Sequence, residues 1–217
     1  MARNGWHDVE ALKLDIVRIL DRAGLARDDR IVSRAVALYQ RKNIPLNHIL
    51  AETLIAHYLR SKGFREVDIE KGIGKCSCDV YGVCGRLNLC VEVEFNFVPP
   101  KHVVSWDEYI VARHIKKVLS VVSSGVSTIS FAYPKYVVPP IPLELLRPPS
   151  ARSSTMLSHY ISIARKYFSI DVEKPVEILR QASVFSIMIF DVSTGCIKEL
   201  SPQSAEVLIT LYNSFLA

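Results

Sequence analysis

The sequence predicts an α/β protein: an αβββαβ core with a mixed sheet, a helical extension before it and an αββα elaboration after it. Three observations carry this. Apolar residues recur at helical spacing through the first sixty residues, switch to two-residue alternation between about 66 and 97, and return to helical spacing at 106. A β-branched run, "VSTISFAYP", follows that helix at strand length, and glycine or proline marks most of the changes. At 217 residues and 49% hydrophobic content the chain is long enough to bury one full core, read here as a single elaborated domain. Its parts are a helical extension at 1–45, a core at 46–133, and a proline-rich connection with further elements at 134–217.

The first helix is read from "DVEALKLDIVRILDRAG", where Leu12, Ile16, Ile19, Leu20 and Ala23 form a stripe and Gly24 ends it. A second runs through Ile31, Ala35 and Leu38 until "NIP". A third, 47–62, carries Leu50, Leu54 and Tyr58 and stops at Gly63. Strands are expected near 67–71, 76–82 and 88–97, a three-strand meander closed by Pro99 and Pro100. In "SWDE", Ser105 and Glu108 have capping-box spacing and open a helix at 106–122, with Val111, Ile115, Val118, Leu119 and Val122 on one face. The strand at 127–133 follows. Six of the eleven prolines fall in 134–149, which suits an extended connection. Beyond it come a helix with Leu157, Tyr160, Ile161, Ala164 and Phe168 inward, the strand "SVFSIMIFDV", a turn into "CIKEL", and a final helix opened by Ser201 and Pro202.

No run of about eighteen apolar residues and no signal-like N-terminus is present, so no membrane role is expected and the expected location is cytoplasmic. A net charge of +5 is compatible with a polyanionic partner and with an ordinary enzyme. Five cysteines, at 76, 78, 84, 90 and 196, lack paired C-x-x-C spacing and read as small buried hydrophobes; a disulfide would need an oxidising compartment or a hyperthermophile cytosol. No Walker loop, Rossmann glycine pattern or Ser/His/Asp motif is present. "GIGK" at 72–75 reads as a hairpin turn. His48 and His57, lone histidines on a helix, read as surface or packed residues.

The unusual stretch is "CDVYGVCGRLNLCVEVEF". Alternation puts Glu92 and Glu94 on one face of a strand, roughly 7 Å apart, and antiparallel pairing brings Asp79 near their level. A strand with one dry and one wet face gives the same alternation. Three anions so close raise one another's pKa values unless a cation sits between them, and a hard divalent ion, Mg²⁺ or Mn²⁺, suits carboxylate ligands.

The order of elements, with Asp in the second strand and E-x-E in the third, resembles the PD-(D/E)xK nuclease superfamily, whose fold is called restriction-endonuclease-like. The resemblance covers about residues 46–133. It implies a metal-dependent nuclease acting on DNA, with Asp79 and Glu92 as metal ligands, Glu94 in the place normally held by lysine, and Glu52 as the additional helix glutamate. By the same resemblance Asp79, Glu92 and Glu94 are the catalytic set, and Glu94 orients the attacking water or holds a second ion. Glu52 also reads as an ordinary boundary glutamate. The missing lysine has candidates in Lys101, Lys116 and Lys117, none selected by the sequence. Lys101, Arg113, Lys116 and Lys117 are the expected nucleic-acid contacts, with His114, His102, Arg147 and Arg152 as further polar groups in loops or off the apolar helix face. Arg27, Arg30, Arg34, Arg41 and Lys42 mark the N-terminal helices as a binding or dimerising appendage, and a homodimer is compatible with the sequence. The competing reading is a relative that keeps the fold without the chemistry, as a nucleic-acid-binding or assembly subunit. A tightly bound divalent ion favours the enzyme; carboxylates bridged by Lys or Arg favour the other.

Overall fold

A computed structural model describes residues 5–42 and 44–216. Its elements run α1 (Gly5–Ala23), α2 (Asp29–Lys42), α3 (Leu46–Ser61), β1 (Asp68–Ile73), β2 (Cys76–Cys84), β3 (Leu87–Val93), α4 (Trp106–Ser123) and β4 (Thr128–Pro134). Then follow α5 (Leu143–Leu146), α6 (Ser154–Tyr167), α7 (Pro175–Gln181), β5 (Ser183–Asp191), β6 (Cys196–Leu200) and α8 (Pro202–Leu216). The six strands form one mixed sheet in sequence order, β1 to β6. β1–β2, β2–β3 and β5–β6 pair antiparallel, while β3–β4 and β4–β5 are parallel. Parallel neighbours need crossovers, and α4 and the α5–α7 segment supply them.

The strand alternation sorts side chains onto two cores. Val80, Leu89, Val91, Val93, Ala132 and Met188 meet α1, α2 and α3 on one side. Cys90, Ile129, Phe131, Tyr133 and Ile187 meet α4 and the C-terminal helices on the other. Helix α3 and the turn after it lie so near β2 that a Cβ on Gly82 would come within 2.9 Å of the Phe64 ring and 3.3 Å of the Leu59 side chain, so glycine is needed there.

Five expectations change. The N-terminal helices are not an appendage: Leu12, Ile16, Ile31, Val32 and Ala35 are buried in the same core as α3 and the sheet. Three of their arginines pair within the chain, Arg27 with Asp29, Arg30 with Asp28, and Arg34 with the carbonyls of Ile69 and Glu70, which fastens α2 to β1. The side chain of Lys42 and all of Asn43 lie outside the described residues. Strand β3 stops at Val93 rather than 97, because Asn96 turns at φ 55° and Arg113 captures the Phe97 carbonyl at 3.2 Å. The Glu94 N–H still bonds Ala132 O at 2.8 Å, so Glu94 keeps strand direction.

The expected Ser105–Glu108 capping box does not form. Ser105 makes no side-chain cap, and Glu108 binds Lys166 and Tyr167 at 3.1 Å instead, tying α4 to α6. Cys78 and Cys90 are buried as expected but joined as a disulfide across β2 and β3, whereas Cys76, Cys84 and Cys196 are free thiols, Cys76 half-buried and Cys84 and Cys196 exposed at strand ends rather than buried. In the C-terminal part the short α7 was not anticipated, and one turn, α5, interrupts the proline-rich connection. At α8, the Ser201 hydroxyl accepts the Ser204 N–H at 3.1 Å, as its opening position predicts. Among the described residues no helix is long and apolar enough to cross a membrane.

Candidate functional site

Three elements converge on Asp79. The β2–β3 ladder runs from Cys84–Leu87 up to Val80–Val91 and stops, so Asp79 has no backbone partner on β3. Its Oδ2 instead accepts the Val93 N–H at 2.8 Å, which holds the carboxylate where the two strands part. Opposite, on β1, Glu70 turns at φ 51°, a left-handed conformation that a side-chain-bearing residue adopts only where its surroundings enforce it. The sheet is therefore distorted at the level of the acidic residues.

Glu92, at the end of β3, and Glu94, just past it, point to α4. Arg113 and Lys117 lie one turn apart on that helix and meet them. The Lys117 ammonium contacts Glu92 Oε2 closely, and reaches Glu94 Oε1 at 3.1 Å and Asp79 Oδ2 at 3.6 Å. Arg113 stands 2.9 Å from Glu94 Oε2. The ion pairs to Glu94 are electrostatic contacts without directed hydrogen bonds, and both of its buried oxygens keep unused acceptor capacity.

On the other side of Asp79, α3 presents His48 and Glu52 one turn apart. The His48 Nδ1 and Glu52 Oε1 atoms are 2.7 Å apart, and a ligand atom from each, with one from Asp79, fits within a 4.8 Å span. Glu52 is fully buried and its Oε2 has no hydrogen-bond partner. An orphaned buried carboxylate oxygen carries a desolvation cost, which protonation or a cation would relieve. Cys78, Cys90 and Glu92 also cluster, but the disulfide leaves neither sulfur as a thiolate ligand.

Burial, with the charge of Asp79 and against the His48 hydrogen bond, pushes Glu52 up to about 7. Burial also pushes Glu92 up to about 8, with Asp79 and Glu94 adding to it and Lys117 opposing. Glu94 goes the other way: Lys117, His114 and Arg113 outweigh its burial and hold it below the usual carboxylate range. Lys117 stays protonated well above its ordinary value, because three carboxylates overcome its desolvation. His48 is raised too: burial lowers it, but Glu52 prevails.

The sign of the pH dependence follows. Glu52 and Glu92 have folded pKa values above their unfolded ones, so the folded state holds extra protons and stability falls as pH rises through about 7 to 8. The buried His57 and His114 are shifted down and act with the opposite sign, at and below their ordinary range. Chelator-treated protein is therefore expected to lose on the order of 1–2 kcal/mol between pH 7 and 8.5, measured by urea unfolding at the two values. A flat profile there would mean these carboxyls are ionised throughout.

Asp79 and Glu92 open into a cleft of about 410 Å³ whose walls include Lys75, Tyr109, Arg113, Lys116 and Phe168, while Glu52 and Glu94 lie buried outside its lining. Of the four expected nucleic-acid contacts, Arg113, Lys116 and Lys117 line this cleft; Lys101 is exposed on the preceding turn and is absent from the lining. The structure thus joins Asp79, Glu92, Glu94 and Lys117 in one cluster and adds Glu52 through Asp79; of the four carboxylates expected to hold an ion, Glu52 and Asp79 fall with His48 in one group of possible ligands, whereas Glu92 and Glu94 are paired with Lys117 and Arg113. His114 is not a surface group: it is buried, with Nδ1 toward Ile110 O at 2.7 Å and Nε2 toward the Tyr133 hydroxyl at 2.6 Å. Arg147 is taken by Glu144 and Glu206, and Arg152 is a buried structural residue. His57 is packed, as expected, with Nδ1 on Thr53 O and Nε2 accepting the Asp28 N–H.

Two participants escaped the sequence reading. His48 has a signal, its spacing of four from Glu52 on one helix face. Glu70, whose charge also raises Glu52, has none, since it sits in what reads as an ordinary wet strand. No family model, curated protein or solved structure matches this chain.

Proposed function

We propose that the chain is a metal-dependent nuclease of the PD-(D/E)xK type, hydrolysing phosphodiester bonds in DNA. The observation that carries the reading is Lys117: a lysine from α4 stands among Asp79, Glu92 and Glu94, where the strand motif E-x-E lacks one. The order α3-β1-β2-β3-α4-β4 supports the comparison.

The donor set fits a divalent ion. His48, Glu52 and Asp79 would hold it, Mg²⁺ or, given the imidazole, Mn²⁺. When bound, such an ion lowers the pKa of a water and stabilises charge on a phosphoryl group. The chain's own residues do the rest. Lys117 places positive charge beside the carboxylates, where negative charge develops on the phosphoryl oxygens. Lys117, with His114 and Arg113, keeps Glu94 ionised against its burial, and Arg113 holds its other oxygen at 2.9 Å. Glu92, with a pKa near 8, can exchange a proton near neutral pH. Lys75, Lys116 and Arg113 supply the cleft with charge for the phosphate backbone.

A second reading, a nucleic-acid-binding or assembly relative without chemistry, rests on one observation. Lys117 and Arg113 already pair with Glu92 and Glu94, and bridged carboxylates are what that reading expects.

Calorimetric titration with Mn²⁺, alongside labelled single-stranded, double-stranded and branched DNA and RNA with Mg²⁺, Mn²⁺ or EDTA, tests both. Wild type is expected to bind Mn²⁺ and cut, with Glu52→Gln and Asp79→Asn each weakening the metal at least about tenfold, by analogy with losses on perturbing ligand shells. Nucleic-acid binding without cleavage in any metal would leave the second reading. No metal binding by wild type would end the first.

A further inference from the structure

We propose that the chain forms a two-fold homodimer through the outward face of α8 and the cleft beside it. Helix α8 already has an inward face: Ala205 and Ile209 are buried against the body of the protein. A surface helix with one side so committed normally carries polar residues on the other. Here five large apolar side chains stand outward beside the exposed Thr210, Asn213 and Ser214. Val207, Leu208, Leu211, Tyr212 and Phe215 are 44–85% exposed. Leu208, Leu211 and Phe215 follow the three-then-four spacing of a helix–helix seam, with Val207 and Tyr212 flanking it.

The surface continues off the helix. Tyr212 lines a cleft of about 620 Å³ that includes Trp106, Tyr136 and Val138 and is floored by the prolines at 139, 140 and 142. Those three side chains are also among the exposed large apolar residues, so eight of the fifteen exposed in the described chain belong to this one area. Together they present on the order of 800 Å² of mostly apolar surface per copy, the share that one partner gives to a standard interface. A monomer's largest apolar patch is usually smaller.

The charge pattern selects a second copy as the occupant. In a two-fold contact each residue near the axis faces its own counterpart, so a charged residue there would meet a like charge. The seam has none. The only charged residue of α8, Glu206, is turned aside to Arg147 at 3.0 Å. A partner recruited by charge would find nothing complementary on this face, whereas an identical apolar seam fits it.

The interface draws on the same chain segments as the carboxylate cluster. Asn96, two residues past Glu94, and Trp106, which begins the helix carrying Arg113 and Lys117, both line the cleft. Dimerisation would therefore hold two such clusters in one particle, whatever their chemistry.

Sedimentation velocity and light scattering on the full chain between about 1 and 100 μM should give twice the 24.4 kDa chain mass. Leu208→Glu with Leu211→Glu should give the monomer mass with an unchanged far-UV spectrum. Phe185→Glu, an equally exposed residue on β5, should leave the dimer intact. If the double variant does not fold, hydrogen exchange of wild type decides instead: amide protection of α8 must rise with protein concentration. A wild-type mass of one chain throughout the range, a dimer that survives the double variant, or concentration-independent α8 exchange would overturn the proposal.

Discussion

Lys117→Ala is expected, on the nuclease reading, to lower the cleavage rate by about 10²–10³, as for loss of a single transition-state charge donor. It also acts on the fold. Glu92, Glu94 and Asp79 are held around one ammonium, and removing it leaves carboxyls buried without their main partner. Breaking a buried pair from one side costs about 3–5 kcal/mol, though proton uptake by Glu92 will relieve part of it. The two effects separate on adding Mn²⁺: stability should recover as the ion replaces the lost charge, while the rate should not. Lys117→Arg keeps the charge in a bulkier planar form and should restore stability better than activity. Thermal melts with and without Mn²⁺, beside single-turnover cleavage, check this. Full activity in Lys117→Ala would remove the observation on which the nuclease reading rests.

The largest purely structural effect is expected at Arg152. Its guanidinium is buried and donates to five carbonyls: Leu145 at 2.8 Å, Arg147 at 3.0 Å, Leu179 at 2.6 Å, Arg180 at 3.1 Å and Ala182 at 2.7 Å. Those carbonyls come from the end of α5, the end of α7 and the start of β5, segments that share no ladder with one another. One side chain replaces the regular pairing this irregular region lacks. Arg152→Ala leaves several carbonyls short of a donor at about 1–3 kcal/mol for each that water cannot reach, so a loss of about 4 kcal/mol or more is expected by denaturant unfolding. Arg152→Lys cannot span the same set and should recover little. Metal affinity at His48, Glu52 and Asp79, on the far side of the sheet from α7, should not change in whatever protein remains folded.

The carboxylates were legible in the sequence because strand alternation is a two-residue rule, and Glu92 and Glu94 obey it in a run that is otherwise Val, Leu and Cys. Lys117 was harder. Grouped with the exposed basic residues of α4, it passes for a solvated charge, yet it lies seven residues after Ile110 and four before Val121, both buried, and so on the apolar stripe itself. A charge on that stripe needs an opposite charge in the facing layer, and the E-x-E strand supplies it. His48 was visible in the same way through Glu52. What could not be read is long-range. Nothing near Arg152 announces five carbonyls from other segments, and Cys78 and Cys90 are each one of several cysteines whose pairing depends on how β2 lies beside β3. The failed capping box is similar, since Glu108 had a better partner in Lys166, far along the chain. Local periodicity was reliable where neighbours decide, and silent where a distant element does.

The strand order has a kinetic meaning. Because β1 to β6 lie across the sheet in the order in which they occur in the chain, each strand emerging during synthesis finds its edge partner already made. No strand has to wait for a later one to be inserted beside it, and the open edge advances from β1 toward β6. The first three strands close by short hairpins and bring Asp79 and Glu92 together early. Lys117 arrives with α4, before β4 covers the exposed side of β3, so the buried anions gain their counter-charge before they are sealed in. Folding from the N-terminus thus never has to bury the three carboxylates alone.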